Sequence, residues 1–467
     1  MPKSNPWSGY SAALQEQLTK AGIEPGHRAE IMKGKTKTTG MVMPRTAGDP
    51  DTLVLKLDSG YNVGIKVDKS TKITHAKEEK TIRKAAETSA KPPKALSKTP
   101  GKPTIAILHT GGTIASKLDY RTGATVPVFT AEEMVEMFPE LTQIANIRAK
   151  IVFQMFSEDM EPEHWSAIAD KAYKELTEEG CDGIIITHGT DTMHYTAPAL
   201  AFALRDLPVP VVLVGAQRSS DRPSSDAGFN LICAARFIAQ ADWSGVAICM
   251  HAAPDDSECW VLPATRTRKM HTSRRDTFRP INAEPIAKIN YSLNSIKMLA
   301  KKYAKKDLAR IPKLYKDFDR NVALIKMRPG FRAEELDYYA SHMRGLVIEG
   351  TGLGHAPINH RDDLTSGHPY LLKKLEQFAK KSPVYMASQC VYGRVNLNVY
   401  STGRDLKAAG VKEAFMLPET AMVKLMWALG QTKELKKVHE LMQGDIAGET
   451  ILRSEVQEFP DQGLEKE

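Results

Sequence analysis

The sequence predicts an α/β protein in which a two-lobed, mostly parallel α/β core follows a small antiparallel β-barrel. Three observations predict it. The stretch Ile105-Ala-Ile-Leu-His-Thr-Gly-Gly-Thr-Ile-Ala115 is an apolar, β-favouring run that breaks into a glycine turn flanked by hydroxyls, the pattern of a buried strand whose carboxyl end opens into a turn. Gly183-Ile-Ile-Ile-Thr187, then His188-Gly-Thr-Asp191 and an Ala- and Leu-rich segment, repeats that arrangement. From residue 103 onward, short apolar runs alternate with longer helical patterns, as parallel βαβ units require.

The chain begins with a short helix over residues 11–21. Residues 28–33, 38–43, 52–57 and 63–67 are short, apolar or alternating, and separated by Gly, Pro, Asp and Asn. They predict the strands of a small SH3-like barrel over residues 1–75, whose last hairpin turns at Leu57-Asp-Ser-Gly-Tyr-Asn62. Gly34-Lys-Thr36 has the look of a phosphate loop, but position 29 is Ala where that motif needs Gly. The segment also lies between strands rather than opening a helix, so it reads as a solvated turn. No catalytic constellation appears in this domain, which predicts binding or docking. Residues 76–102 then change to Lys, Glu, Ala, Pro and Ser without apolar periodicity, a linker. Its lysines have the charge to touch RNA phosphates, although a solvated tether accounts for them without a partner.

The core alternates strand 105–108, helix 131–138, strand 149–154, helix 163–179, strand 183–187, helix 192–205, strand 210–214, helix 226–241 and strand 245–250, a large lobe over residues 103–303. A charge-rich connection over 304–320, continuing a run that starts at Lys301, leads to a smaller α/β lobe over 321–450. Its strands are expected at 322–326, 345–348 and 384–387, with closing helices at 420–429 and 433–442. Gly350-Thr-Gly-Leu-Gly354 carries its third glycine too early for a dinucleotide fingerprint and reads as a tight turn. Residues 451–467 form an acidic tail.

Composition sets bounds. A chain of 467 residues has room for two to four domains and a sizeable core. Sixty-four basic against 56 acidic residues permit an anionic partner, but the excess is diluted and partly confined to the linker, so charge favours nucleic acid only weakly. The five cysteines are scattered, without metal-ligand or redox spacing, and read as small core residues of a reducing cytoplasm. The N-terminus lacks a signal-like apolar core, and no run approaches the ~18 residues of a membrane span, so a soluble cytoplasmic protein is expected. Neither a metal-spaced cluster nor a nucleotide loop is present, and no cofactor is expected in this chain.

Thr110-Gly-Gly-Thr-Ile-Ala115 and His188-Gly-Thr-Asp-Thr-Met193 stand unbroken and in order. Together they resemble the signatures of the L-asparaginase family, and further matches lie at Phe156-Ser-Glu-Asp-Met160, Val214-Gly-Ala-Gln-Arg218 and Lys424-Leu-Met-Trp-Ala-Leu-Gly430. The resemblance covers roughly residues 103–444 and implies an asparaginase-like core that hydrolyses a carboxamide, chemistry that needs a nucleophile, a base and oxyanion donors. It implies that Thr113 is the nucleophile, with Tyr120, in Tyr120-Arg-Thr-Gly123, polarising its hydroxyl. A second constellation is Thr190, Asp191 and a lysine after the fifth strand, best placed at Lys269. Five other basic residues within 265–278 leave that register open by one or two positions. Ser157 and Glu158 match positions that grip the substrate's α-carboxylate and amine. Glu158 stands where Gln is usual in the family, which puts the substrate preference in question. His188 is expected to support its turn.

Barrel, lysine-rich linker and asparaginase-like core, in that order, resemble the D-type family of archaeal glutamyl-tRNA(Gln) amidotransferase chains. That resemblance implies release of ammonia from glutamine for a partner, the E-type chain of the same amidotransferase. The partner would bind Glu-tRNA(Gln), activate its glutamate with ATP and Mg, and complete Gln-tRNA(Gln). It also implies a homodimer within an α2β2 heterotetramer. A free asparaginase or glutaminase of amino-acid catabolism is the alternative, and it leaves residues 1–102 unexplained. A non-catalytic scaffold is disfavoured by the intact Thr113, Thr190, Asp191 and Lys269. The apolar helix around Trp427 fits either a dimer interface or a buried core.

Overall fold

A computed structural model of the chain describes residues 10–24, 26–34, 36–43, 49–56, 62–68, 70–76, 98–112, 116–118, 125–127, 138–218 and 225–454, together with residues 7, 114 and 459. The hairpin tip at 57–61, most of the linker and of the acidic tail, and all but the last residue of the helix expected at 131–138 lie outside the described residues.

Helix α1 (Ala12–Lys20) is capped by Ser11, whose hydroxyl accepts the Leu14 amide at 3.3 Å, satisfying a donor that the first helical turn leaves free. Strands β1 (Arg28–Lys33), β2 (Thr36–Val42), β3 (Thr52–Lys56), β4 (Asn62–Lys66) and β5 (Lys72–His75) form an antiparallel sheet in the order β4-β3-β2-β1-β5. β5 was not expected: four residues with one apolar side chain carry too little alternation to signal a strand, and it is pairing with β1 that defines it. Gly34, at φ +60°, makes the turn between β1 and β2. Trp7, Tyr10, Leu14, Leu18, Ile31, Leu53 and Leu55 are buried together between helix and sheet.

The large lobe is built on β6 (Thr104–Gly111), β7 (Asn146–Met155), β8 (Gly183–Thr187), β9 (Pro210–Val214), β10 (Gly245–His251) and β11 (Glu258–Pro263). A hairpin of β12 (Thr267–Lys269) and β13 (Phe278–Pro280) follows, then β14 (Ala287–Asn290) and β15 (Ser295–Met298). Eight of these form one sheet in the order β15-β14-β11-β10-β9-β8-β6-β7. β7, β6, β8, β9 and β10 run parallel, and β11, β14 and β15 add an antiparallel flank. Helices α2 (Pro162–Thr177) and α3 (Met193–Ala203) cover one face and α4 (Ala227–Gln240) the other. Alternate residues of β8 divide accordingly: Ile184 and Ile186 pack toward α3, Ile185 toward α4. Burial on both faces explains why these strands read as unbroken apolar runs.

The smaller lobe has a parallel sheet, β16 (Val322–Lys326), β17 (Gly345–Gly350), β18 (Val384–Ser388) and β19 (Lys412–Glu413), in sequential order. Around it lie α5 (Glu335–His342), α6 (His368–Ala379), α7 (Ser401–Ala408), α8 (Pro418–Gln431) and α9 (Leu435–Gln443). The expected turn at 350–354 is present, with Gly352 and Gly354 at positive φ. Trp427 decides between its two readings. It is 4% exposed and stacks on Phe202 of α3 at 5.8 Å, so this face of α8 is spent inside the core that joins the lobes and is not an interface. Lys424 on the same helix is fully buried, ion-paired with Glu449 and donating to the Met442 (3.1 Å) and Gly444 carbonyls. No helix among the described residues is long and apolar enough to cross a membrane.

Candidate active site

Parallel strands present their carboxyl ends on one side of the sheet, where ligands of open α/β folds bind. The turns after β6, β8 and β9 meet there, brought together by glycines. A Cβ on Gly111, at φ +116°, would lie 2.0 Å from the Met155 carbonyl oxygen, and one on Gly112, at φ +76°, 2.7 Å from the Gly189 nitrogen. At Gly189 it would meet Ser157 Oγ at 2.8 Å, and at Gly215 it would meet Thr190 Cγ2 at 2.8 Å. Gly111 and Gly112 thus let backbone meet backbone, while Gly189 and Gly215 make room for the Ser157 and Thr190 side chains, which explains the Gly-Gly and His-Gly-Thr-Asp pattern physically. The Thr110 hydroxyl donates to the Thr187 carbonyl at 2.9 Å, and the Thr192 hydroxyl to the Ser157 carbonyl at 2.6 Å, cross-tying the same turns.

Thr190 is 9% exposed at the tip of β8. Lys269, on β12, donates from Nζ to Thr190 Oγ1 at 2.9 Å and to Asp191 Oδ1 at 2.6 Å. These are proton-transfer distances. The lysine side chain is only 10% exposed, whereas that of Asp191 is 65% exposed. Ser157 is buried behind Gly189, and Glu158 is exposed beside it. His188 is buried, with Nδ1 2.6 Å from the Gly189 carbonyl oxygen and Nε2 3.2 Å from Met160 Sδ. Burial pushes its pKa down to about 4, so the ring is neutral near pH 7 and braces the turn. Thr113 and Tyr120 lie outside the described residues. The Thr190, Asp191 and Lys269 side chains are brought into direct contact, and Ser157 is brought against their turn.

Residues that sequence reasoning passed over support this geometry. Asp226 accepts the backbone amides of Gln217 (3.0 Å) and Arg218 (2.9 Å), and Asn230 donates to the Gly215 carbonyl at 3.0 Å. Asn230 Oδ1 meets His251 Nδ1 at 2.6 Å, His251 Nε2 meets Asp256 at 3.1 Å, and Arg275 donates to Asp256 at 2.6 Å. The turn after β9 and the far end of the lysine segment thus share one polar chain. These residues are far apart in sequence, and the only local signal was Asp226 at a helix start.

A doubly covered parallel sheet whose glycine turns converge on a Thr-Asp-Lys cluster defines a chain of the asparaginase/glutaminase type. Family models agree: Asparaginase, N-terminal, matches residues 104–302; Glutaminase/Asparaginase C-terminal domain matches 321–442; and GatD N-terminal domain matches 23–75. The chain belongs to the D-subunit family of glutamyl-tRNA(Gln) amidotransferases. It is 48% identical over 446 residues to the D subunit of Pyrococcus furiosus, covering 93% of this chain and 97% of the relative. With the one from Methanothermobacter thermautotrophicus it shares 43% over 455 residues, covering 96% and 99%. Among solved structures, the thermostable L-asparaginase from Thermococcus kodakarensis superimposes with a TM-score of 0.66 at 32% identity, covering 74% of this chain and 99% of that one. L-asparaginase I from Vibrio cholerae gives 0.64 at 26%, covering 75% and 100%. The N-terminal sheet lies outside the residues that the two asparaginase models match and within those that the GatD N-terminal domain matches.

Proposed function

We propose that this chain is the glutamine-hydrolysing, ammonia-releasing component of a tRNA-dependent amidotransferase that converts Glu-tRNA(Gln) to Gln-tRNA(Gln). The observation that carries the reading is the contact of Lys269 with both Thr190 and Asp191, in a chain that also matches the GatD N-terminal domain. A Thr hydroxyl is a weak nucleophile until a base draws off its proton. Lys269 is within reach of Thr190 to do so in its neutral form, and Asp191 holds the amine in line. Thr113, with Tyr120 close to it in sequence, supplies the hydroxyl that attacks the glutamine carboxamide carbon. Tyr120 takes the Thr113 proton and passes it to the amide nitrogen as the C–N bond breaks; ammonia leaves, and water then cleaves the acyl-enzyme to glutamate and restores the Thr113 hydroxyl. Ser157 and Glu158 hold the α-carboxylate and α-ammonium groups.

Ammonia passes to the E-type partner chain, which uses ATP and Mg to activate the glutamate on tRNA(Gln). The working assembly is a homodimer of this chain carrying two partners, located in the cytoplasm. The domain plan is a barrel over 1–75, a tether over 76–102 and the two lobes. The deciding experiment measures ammonia release from glutamine by the purified chain, alone and then with the E-type partner, ATP and Glu-tRNA(Gln). Strong activation by the full mixture, lost in Thr113→Ala and Lys269→Ala, is expected. Fast hydrolysis indifferent to the additions would instead identify a free amidohydrolase.

A further inference from the structure

Lys269 is held from the other lobe. Successive side chains of a strand point to opposite faces, so while Lys269 reaches Thr190, its neighbour Arg268 points away. Arg268 Nη2 meets Glu419 Oε1, in the first turn of α8, at 2.9 Å. Glu419 is 4% exposed, and its Oε2 is buried with no hydrogen-bond partner among the described residues. A half-satisfied buried carboxylate is costly, and burial pushes its pKa up; a neutral side chain would pack there at lower cost. Further bonds tie the start of β12 to the smaller lobe and the segment after it. The Thr420 hydroxyl donates to the Thr265 carbonyl at 2.9 Å, the Thr265 hydroxyl to the Ala447 carbonyl at 3.1 Å, and Arg266 to the Thr450 carbonyl.

We propose that Glu419 is a positioning residue for Lys269: by gripping Arg268 on the opposite face of β12, it lets the smaller lobe set where the lysine amine meets Thr190. Any motion of α8 relative to the large lobe is then felt at the amine. The inference rests on the reading of Lys269 as the base. The charged and titratable groups around that amine and its neighbour are Asp191 and His194 from the β8 turn and α3, Arg268 on its own strand, and, behind Arg268, Glu419 with Tyr195, Glu349 and Lys326.

The test is Glu419→Gln in the full-length chain, assayed for ammonia release under its most active conditions, with rates normalised to folded protein. A kcat at least about tenfold lower is expected, with KM for glutamine within about twofold because Ser157 and Glu158 are untouched. Arg268→Gln is expected to lower kcat with KM likewise held, and it stands in if Glu419→Gln does not fold. The double variant should be no worse than the poorer single. An unchanged kcat, or a KM for glutamine that rises as much as kcat falls, overturns the proposal. Lys269→Ala separates the two levels: if it retains ammonia release, the base assignment falls whatever Glu419 does.

Discussion

Replacing Gly189 by Ala adds one methyl at the point where three turns meet. That carbon would stand 2.7 Å from Ser157 Cβ and 2.8 Å from Ser157 Oγ, where ordinary contact begins at 3.4 Å. Something must move by about 0.7 Å. Ser157 has little room to retreat, because its carbonyl accepts both the Thr192 hydroxyl (2.6 Å) and the Met160 amide (3.2 Å). Overpacking of this kind costs about 1–3 kcal/mol, a fall in Tm of about 2–12 °C for a domain of about 200 residues. The catalytic loss should be larger in proportion, because displacing a substrate-positioning group by about 1 Å can cost roughly 100-fold in rate. Steady-state ammonia release and thermal melting measure the two effects separately. In the Ser157→Gly/Gly189→Ala double variant the clash is gone, so the Tm should recover while the high KM persists for want of the hydroxyl. A Gly189→Ala enzyme with kcat/KM within about threefold of the parent would refute the close-packed turn. Full recovery of KM in the double would refute the role given to Ser157.

Two further outcomes follow from buried charge. Lys424→Met strands the fully buried Glu449, and losing one partner of such a pair costs about 3–5 kcal/mol. Glu449 keeps the Ile446 and Ala447 amides, so the low end applies. Adding Glu449→Gln should regain part of the loss in urea denaturation, and a double variant less stable than Lys424→Met would contradict the pair's isolation. Burial also pushes His109, His188 and His194 down to about 4 from an ordinary 6.5. Between those values the unfolded chain binds more protons than the folded one, so stability should fall as pH drops from about 6.5 to about 4 and gain nothing from these groups above that window. Urea midpoints at pH 7 and pH 5 check the sign, and His109→Gln should flatten the slope. A midpoint that rises on acidification would show that these rings are not buried neutral.

Much of the fold was legible because the parallel strands are buried on both faces: Gly183–Thr187, Pro210–Val214 and Val322–Lys326 are bounded where their apolar runs begin and end. Lys72–His75 and the Thr267–Lys269 hairpin were not, since their short polar runs become strands only by pairing with distant partners. The same division holds at the site. Residue order placed Thr190 and Asp191 at a strand end, and the family resemblance singled out Ser157 and Lys269 without fixing the lysine's register. Glycine at 111, 112, 189 and 215 was visible as a motif, but its reason is a three-dimensional fact: backbone meets backbone at the first two, and the Ser157 and Thr190 side chains crowd the last two. Only tertiary structure put the Lys269 amine on the Thr190 hydroxyl, buried Trp427 against Phe202, and set Glu419 behind Arg268 across 151 positions of chain. Local pattern records which face a residue buries, whereas pairing between segments far apart in sequence leaves no local trace.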